Sequence, residues 1–274
     1  MKVSENPKVS IIMGIYNCEN TLDESIKSII NQTYENWELI MCDDSSKDNT
    51  FNVAKKYADR YPDKIKLIKN DENLTLGPTL NRCIELVEGK YIARQDGDDL
   101  STPDRLEKQV KFLEENKEYD LVGTSMEVFD ERGIYGVRKL KEIPEGKDMM
   151  KGSVFCHATV LIKTSVMKKL EGYSHHKSRK QVEDYDLWFR FFEHKYKGYN
   201  LQEALYEVRE DRDAYKRKNM KRRVNEIKVM IDGAKRLNLP TKSYIMILKP
   251  IIAGLVPQSI LIKYHRHKFK VRAE

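Results

Sequence analysis

The stretch "YIARQDGDDLSTPDRL", at 91–106, crowds Asp96, Asp98 and Asp99 around one glycine directly after a short apolar run. In locally extended chain, carboxylates at i and i+2 point the same way about 6–7 Å apart, at roughly 3.3 Å rise per residue. Such hard oxygen donors suit Mg2+ or Mn2+, which take one or two carboxylates and leave the remaining positions to substrate phosphates and water. A solvated acidic loop explains a lone DxD as well. A second acidic group, "CDDSSKDNT", follows another apolar run. Asp43 ends that run, where an acceptor can take the N–H of a bound base or a ribose hydroxyl. Asp44 and Asp48 serve equally as turn and helix-cap residues. In the third group, "QVEDYDLWFRF", Glu183, Asp184 and Asp186 open a helix, where the macrodipole favours carboxylates. The chemical alternative makes Asp184 a general base for an acceptor hydroxyl.

These groups need strands and helices to hold them. "VSIIMGIY" (9–16) reads as a strand, followed by a helix in which Leu22, Ile26, Ile29 and Ile30 recur at helical spacing. The alternation repeats with strands at 37–42, 65–69 and 91–95, and helices at 48–61, 75–89 and 102–116. Thr102 is expected to cap the last of these, with Pro103 in its first turn. Strands alternating with such helices predict an α/β fold with a mostly parallel sheet covered on both faces. In that arrangement ligands bind outside the carboxyl ends of the strands, where residues 16–17, 43–45 and 96–99 would meet. Beyond 119–129 the pattern loosens into a short hairpin, a strand and short helix within 158–173, a helix at 182–196 and a final pair of short strands at 198–210.

Composition excludes several classes. The 274 residues, 40% hydrophobic and 34% charged, describe an ordinary globular chain. Four cysteines form no CxxC pair, and no signal-peptide pattern opens the sequence, so a reduced, cytoplasmic setting is expected. The net charge of +7 is a tail property: residues 209–274 hold 18 Lys/Arg against 6 Asp/Glu, while 1–208 hold 32 against 37. No nucleic-acid-reading module accompanies the basic tail, so nucleic acid is not an expected partner. Neither GxxxxGK[ST] nor GxGxxG occurs, and a phosphate ligand must be neutralised by something other than a glycine-rich loop.

The strings "VSIIMGIYN", "DDSSKDNT", "ARQDGDDLSTPDRL", "CHATVLIKTSVMKKLEGY" and "VEDYDLWFRF", in this order, resemble family 2 glycosyltransferases of the GT-A fold, over about residues 8–208. The resemblance implies a catalytic domain at 1–208, with a nucleotide-sugar half at about 1–100 and an acceptor half at about 101–208, and a basic, amphipathic helical tail at 209–274. It implies that Asp43 contacts the nucleobase, and that Asp96 and Asp98 form the DxD, with Asp98 the principal ligand of Mn2+ or Mg2+ and Asp99 a further ligand or a supporting acceptor. Asp184 is the implied base, with Glu183 beside it in the "ED" pair. Ile15, Asn17, Asn73 and Arg94 match positions lining the donor site, and His157 falls where the family borders donor diphosphate and acceptor.

The implied reaction is inverting transfer from a nucleoside-diphosphate sugar to a hydroxyl of a glycan or polyprenyl-diphosphate-linked acceptor in surface polysaccharide synthesis. Uridine is the expected base. The QxxRW sequence of the processive synthases is missing, which predicts one sugar added per acceptor. The apolar stretch 244–262 is interrupted by Lys249, Pro250, Pro257 and Gln258, and reads as an interfacial element rather than a membrane span. The expected location is therefore peripheral, at the inner face of the cell membrane. The competing expectation packs the tail on the catalytic domain or a second copy in a homodimer. Two rival functions are a catalytically silent sugar-nucleotide-binding or scaffold protein and a nucleotidyltransferase, whose glycine-rich basic loop is absent.

Overall fold

Alternate residues of the first strand, β1 (Val9–Ile15), face two different cores. Ile11, Met13 and Ile15 meet Leu22, Ile26 and Ile29 of α1 (Leu22–Ile30), whereas Ile12 joins the core on the other face. Strand geometry, with successive side chains on opposite faces, thus builds two hydrophobic layers around one sheet. The computed structural model describes residues 6–210 and 220–256.

The elements that follow are β2 (Trp37–Asp43), α2 (Thr50–Arg60), β3 (Ile65–Lys69), α3 (Leu76–Ile84), β4 (Tyr91–Arg94), β5 (Leu100–Ser101) and α4 (Arg105–Glu115). Then come β6 (Leu121–Asp130), β7 (Gly133–Arg138), β8 (Leu161–Lys163), α5 (Thr164–Lys169), α6 (Glu183–Glu193) and β9 (Gly198–Arg209). Two further helices, α7 (Met220–Arg236) and α8 (Leu248–Leu255), close the described chain. Among the described residues the strands form one sheet in the order β3-β2-β1-β4-β8-β6-β9-β5, with β7 paired to β6. The strands β3, β2, β1 and β4 are parallel, and the chain order reverses between β1 and β4. Beyond β4 the pairing is mixed: β8 is antiparallel to β4 and β6, while β9 runs parallel to β6.

Three local expectations are corrected. The pair of short strands at 198–210 is a single strand: the polar Gln202 and Glu203 lie where the β6 register slips from Thr124↔Leu201 to Ser125↔Ala204. Helix α4 starts at Arg105 rather than at Pro103, and the Thr102 hydroxyl donates to the Asp104 carboxylate at 2.9 Å instead of capping the helix. Residues 96–99 are not extended. They form a tight turn in which Asp99 N donates to Asp96 O at 3.4 Å, so the i, i+2 spacing argument for two parallel carboxylates does not apply.

Within the basic tail, α7 packs into the core that holds α6, through Val229, Met230 and Ala234. Gly233 is required at that crossing, since a Cβ there would lie 2.2 Å from the Phe189 ring. The turn Thr241–Ile247 and α8 leave Ile245, Leu248, Ile251 and Ile252 exposed. No helix among the described residues is long and apolar enough to cross a membrane. The expectations for 211–219 and for the basic string at 263–272 lie outside the described residues.

Candidate active site

The donor side is built where β1 and β2 end side by side. Ile15 pairs with Asp43 across the ladder, and its carbonyl accepts Asp44 N at 2.9 Å. Asn17, at φ 49°, bonds the neighbouring loop twice: its N–H donates to Ser46 Oγ at 3.1 Å, and its Oδ1 accepts Lys47 N at 2.8 Å. Asp43 is fully buried; Oδ2 accepts Ser46 N at 3.2 Å, while Oδ1 has no partner. A buried carboxylate oxygen of this kind accepts a donor group readily, since leaving it unpaired costs about 1–3 kcal/mol. Asp44 differs: its carboxylate accepts Leu74 N at 2.8 Å, Thr75 N at 2.9 Å and Asn70 Nδ2 at 2.7 Å. Asn73 is exposed and donates to Asp44 O at 3.3 Å. Asp48 accepts Thr50 N at 3.0 Å just before α2, whose cap position is held instead by Asn49.

The second side is the turn after β4. Arg94 is buried behind it and donates to the Asp96 carboxylate. Ser25 Oγ holds Asp96 O at 2.8 Å and Thr21 Oγ1 holds Gly97 O at 2.9 Å, so α1 fixes the turn from one side. Gly97 sits so close to the end of β1 that a Cβ would lie 3.0 Å from Cys18 Sγ and 3.2 Å from Ile15 Cγ2. From the other side, Asp96 N donates to Tyr206 Oη at 3.0 Å. Arg209 N donates to Asp99 Oδ1 at 2.8 Å, and Arg209 Nε to Asp98 O at 3.0 Å. Asp99 is thus turned inward onto β9; burial and then the negative charges of Asp96 and Asp98 push its carboxyl well above the ordinary range. Asp96 and Asp98 are half-buried at the rim. Beneath them the buried Arg105 guanidinium donates to Gln95, Ser101, Gln109 and the carbonyls of Arg94 and Ala158, and lies over the Tyr206 ring.

The third side is the start of α6. Asp186 is locked between Arg179 at 2.9 Å and Arg190 at 2.8 Å, and Arg190 also holds the carbonyls of Leu170 and Gly172. This leaves Glu183 and Asp184 at the half-buried helix start. Burial raises both carboxyls, Glu183 to about 7 with Asp184 adding to the effect. Glu183 Oε2 has no partner. His157, in a short 3-10 turn, lies 2.6 Å from the Tyr173 hydroxyl; burial and then Arg94 push the imidazole down to about 3, so it is neutral. The Arg94 charge also acts on Asp184 and Tyr173, and Asp184 on Tyr173. Asp96, His157, Tyr173 and Asp184 are therefore each within electrostatic reach of Arg94, although they come from four separate segments.

The family model for glycosyl transferase family 2 matches residues 10–170. This chain belongs to the family 2 glycosyltransferases. It is 51% identical over 266 residues to EpsE of Bacillus subtilis (strain 168), itself assigned as a glycosyltransferase, covering 97% of this chain and 96% of that one. It is 31% identical over 180 residues to WfgD of Escherichia coli, a UDP-Glc:alpha-D-GlcNAc-diphosphoundecaprenol beta-1,3-glucosyltransferase, covering 66% and 68%. Among solved structures, the mannosyltransferase PcManGT of Pyrobaculum calidifontis, in complex with GDP-Man and Mn2+, superposes with a TM-score of 0.64 at 15% identity, covering 94% of this chain and 79% of that one. The glycosyltransferase thus has the GT-A fold with C-terminal helices added.

In this glycosyltransferase the structure brings Asp96, Asp184 and His157 together around Arg94, with Asp43 at the neighbouring strand end. Asn17 and Asn73 serve as ties between rim loops, and Ile15 is a buried strand residue whose carbonyl anchors Asp44. Among the described residues no three His, Cys, Asp or Glu side chains gather closely enough to enclose a metal ion. The donor set at Asp96 and Asp98 fits a cation of the Mg2+ or Mn2+ kind, which needs only one or two carboxylates when phosphate oxygens and water complete its shell. The sequence reading missed Tyr206, Arg209, Arg105 and Tyr173. Its one accessible signal was the alternation in "ALYEVR", which marks Tyr206 as an inward-facing strand residue.

Proposed function

We propose that this glycosyltransferase moves one sugar, with inversion, from a nucleoside-diphosphate sugar to a hydroxyl of a lipid-linked or glycan acceptor. The observation that carries the reading is the position of Asp184, desolvated at a rigid helix start and facing the same Arg94 charge as the Asp96 carboxylate. Asp184 takes the acceptor proton as the hydroxyl attacks, and burial tunes it for that role by making it more basic. Asp43 receives the nucleobase through its unpartnered oxygen. Asp98 and Asp96 would hold Mn2+ or Mg2+, which when bound offsets charge on the departing diphosphate. Asp99, bonded to β9, holds the turn in place. His157 stays neutral and, with Tyr173, lines the space between the two stations without adding charge. A UDP-sugar and a polyprenyl-diphosphate acceptor are favoured because the E. coli relative is named for both.

The test is a screen of nucleotide sugars with Mn2+, reading donor hydrolysis and sugar transfer. Asp184→Asn should lose transfer by about 10²–10⁴-fold while keeping nucleotide binding. Asp98→Asn should lose metal-promoted nucleotide binding. Normal transfer by Asp184→Asn, with Glu183→Gln inactive, would move the base to Glu183, a second reading favoured by its unpartnered buried oxygen and its carboxyl near 7. A ladder of products from one acceptor would overturn single addition.

We also infer that the protein works as a peripheral enzyme at the inner face of the membrane. The exposed Ile245, Leu248, Ile251 and Ile252 lie in the segment whose sequence surroundings are strongly basic, a combination suited to anionic lipid. Ile245→Glu with Ile252→Glu should weaken sedimentation with phosphatidylglycerol vesicles; unchanged binding would sink this reading.

A further inference from the structure

The turn that launches α6 is held by the C-terminal helix α7. Gln181 adopts φ 66°, a left-handed conformation that side-chain-bearing residues rarely take, two residues before the acid pair. Two α7 side chains grip this turn: Arg222 Nε donates to Gln181 O at 3.1 Å, and Asn225 Nδ2 donates to Lys180 O at 3.0 Å. Asp232, two further turns along α7, takes Arg179 Nη2 at 2.6 Å. The same Arg179 binds Asp186 within α6. The start of α6 is therefore not self-supporting, and its conformation is fixed by a helix that follows the catalytic sheet in sequence.

We infer that Arg222 is a positioning residue for the base: it holds the Gln181 carbonyl and presents its guanidinium charge to the Asp184 carboxylate. The inference rests on the reading of Asp184 as base. Arg222 opposes the effect of burial on both Asp184 and Glu183, and on Asp184 it is the larger of two cations, ahead of Arg94 of β4. The other groups facing Asp184 are Glu183 and Tyr185 of its own helix and Tyr173 from the loop after α5, while Glu226 of α7 acts on Tyr185. Among these, the opposite charges that favour ionised Asp184 come from Arg222, which also lies 3.9 Å from Glu226 one turn along α7, and from Arg94, which is bonded to Asp96 at its other end. Of the two, Arg222 acts the more strongly on Asp184, and it does so from outside the sheet.

The experiment is a carbon-13 titration of aspartate side-chain carboxyls in the full-length protein, with the Asp184 signal assigned by its absence in Asp184→Asn. In Arg222→Gln the Asp184 midpoint should rise by about one pH unit or more, because removal of a nearby opposite charge disfavours the carboxylate. Arg222→Lys should return it toward the wild-type value. Asn225→Ala, which removes a turn contact but no charge, should leave the midpoint in place. An unchanged midpoint in Arg222→Gln, or an equal rise in Asn225→Ala, would overturn the inference. Retained transfer by Asp184→Asn would instead defeat the base reading and leave the titration result standing.

Discussion

The rim at the end of β2 and the rim at the end of β4 solve the same problem with different means. Each carries one acid braced by backbone N–H groups beside others: Asp44 beside the buried Asp43 in the first, and Asp99 beside the half-buried Asp96 and Asp98 in the second. Asp44 is braced by the backbone amides of Leu74 and Thr75 and by Asn70, all from the next β–α unit of the parallel half. Asp99 and its turn are braced by Tyr206 and Arg209, from the last strand of the sheet. The rim at the end of β2 is therefore complete once the parallel half has formed, whereas the rim at the end of β4 is complete only after β9 has paired with β6.

Asp44→Ala should break the first station hardest, since it leaves two backbone amides and one side-chain amide without their acceptor. A loss of about 3 kcal/mol is expected in denaturant unfolding. Asp43→Ala, by contrast, leaves one backbone amide, Ser46 N, without its acceptor and should cost less stability than Asp44→Ala while weakening nucleotide affinity. Equal destabilisation by both would erase the distinction between brace and ligand. Tyr206→Phe tests the second station: losing the hydroxyl that meets Asp96 N and Asp99 should lower metal-promoted nucleotide affinity by about tenfold, with nucleotide affinity in the absence of metal unchanged. The smallest effect is expected from His157. Its folded-state value of about 3 lies below the ordinary 6.5, so the unfolded chain binds the proton first, and stability is full above 6.5 and falls as pH drops below it. His157→Gln should flatten that acid-side loss in thermal unfolding measured between pH 7 and pH 5; an unaltered slope would assign the loss to other groups.

How much could be read in advance follows the same division. Strand ends and helix starts are local events, so Asp43, Asp96 and Asp184 stood out from their apolar flanks, and the strand–helix alternation up to β4 was legible from periodicity. The mixed half was less so. Gln202 and Glu203 interrupt the apolar pattern, yet a register slip keeps them within β9, and no local pattern distinguishes that from a break between two strands. Arg105 offered no hint of burial either. Its five donors are all satisfied, but by groups from β4, β5, the turn at 157–159 and its own helix, which only the fold assembles. The acids at 96–99 were recognised correctly as a cluster and wrongly as extended chain, because Gly97 permits a turn that packs directly against Ile15 and Cys18.

β9 and α7 have one more feature in common. Arg209 donates to the carbonyl of Asp98, and Arg222 to the carbonyl of Gln181 just before the acid pair. The two acidic loops are thus each gripped through their backbone by an arginine, so a substitution that removes either guanidinium acts on a loop's shape as well as on its electrostatics.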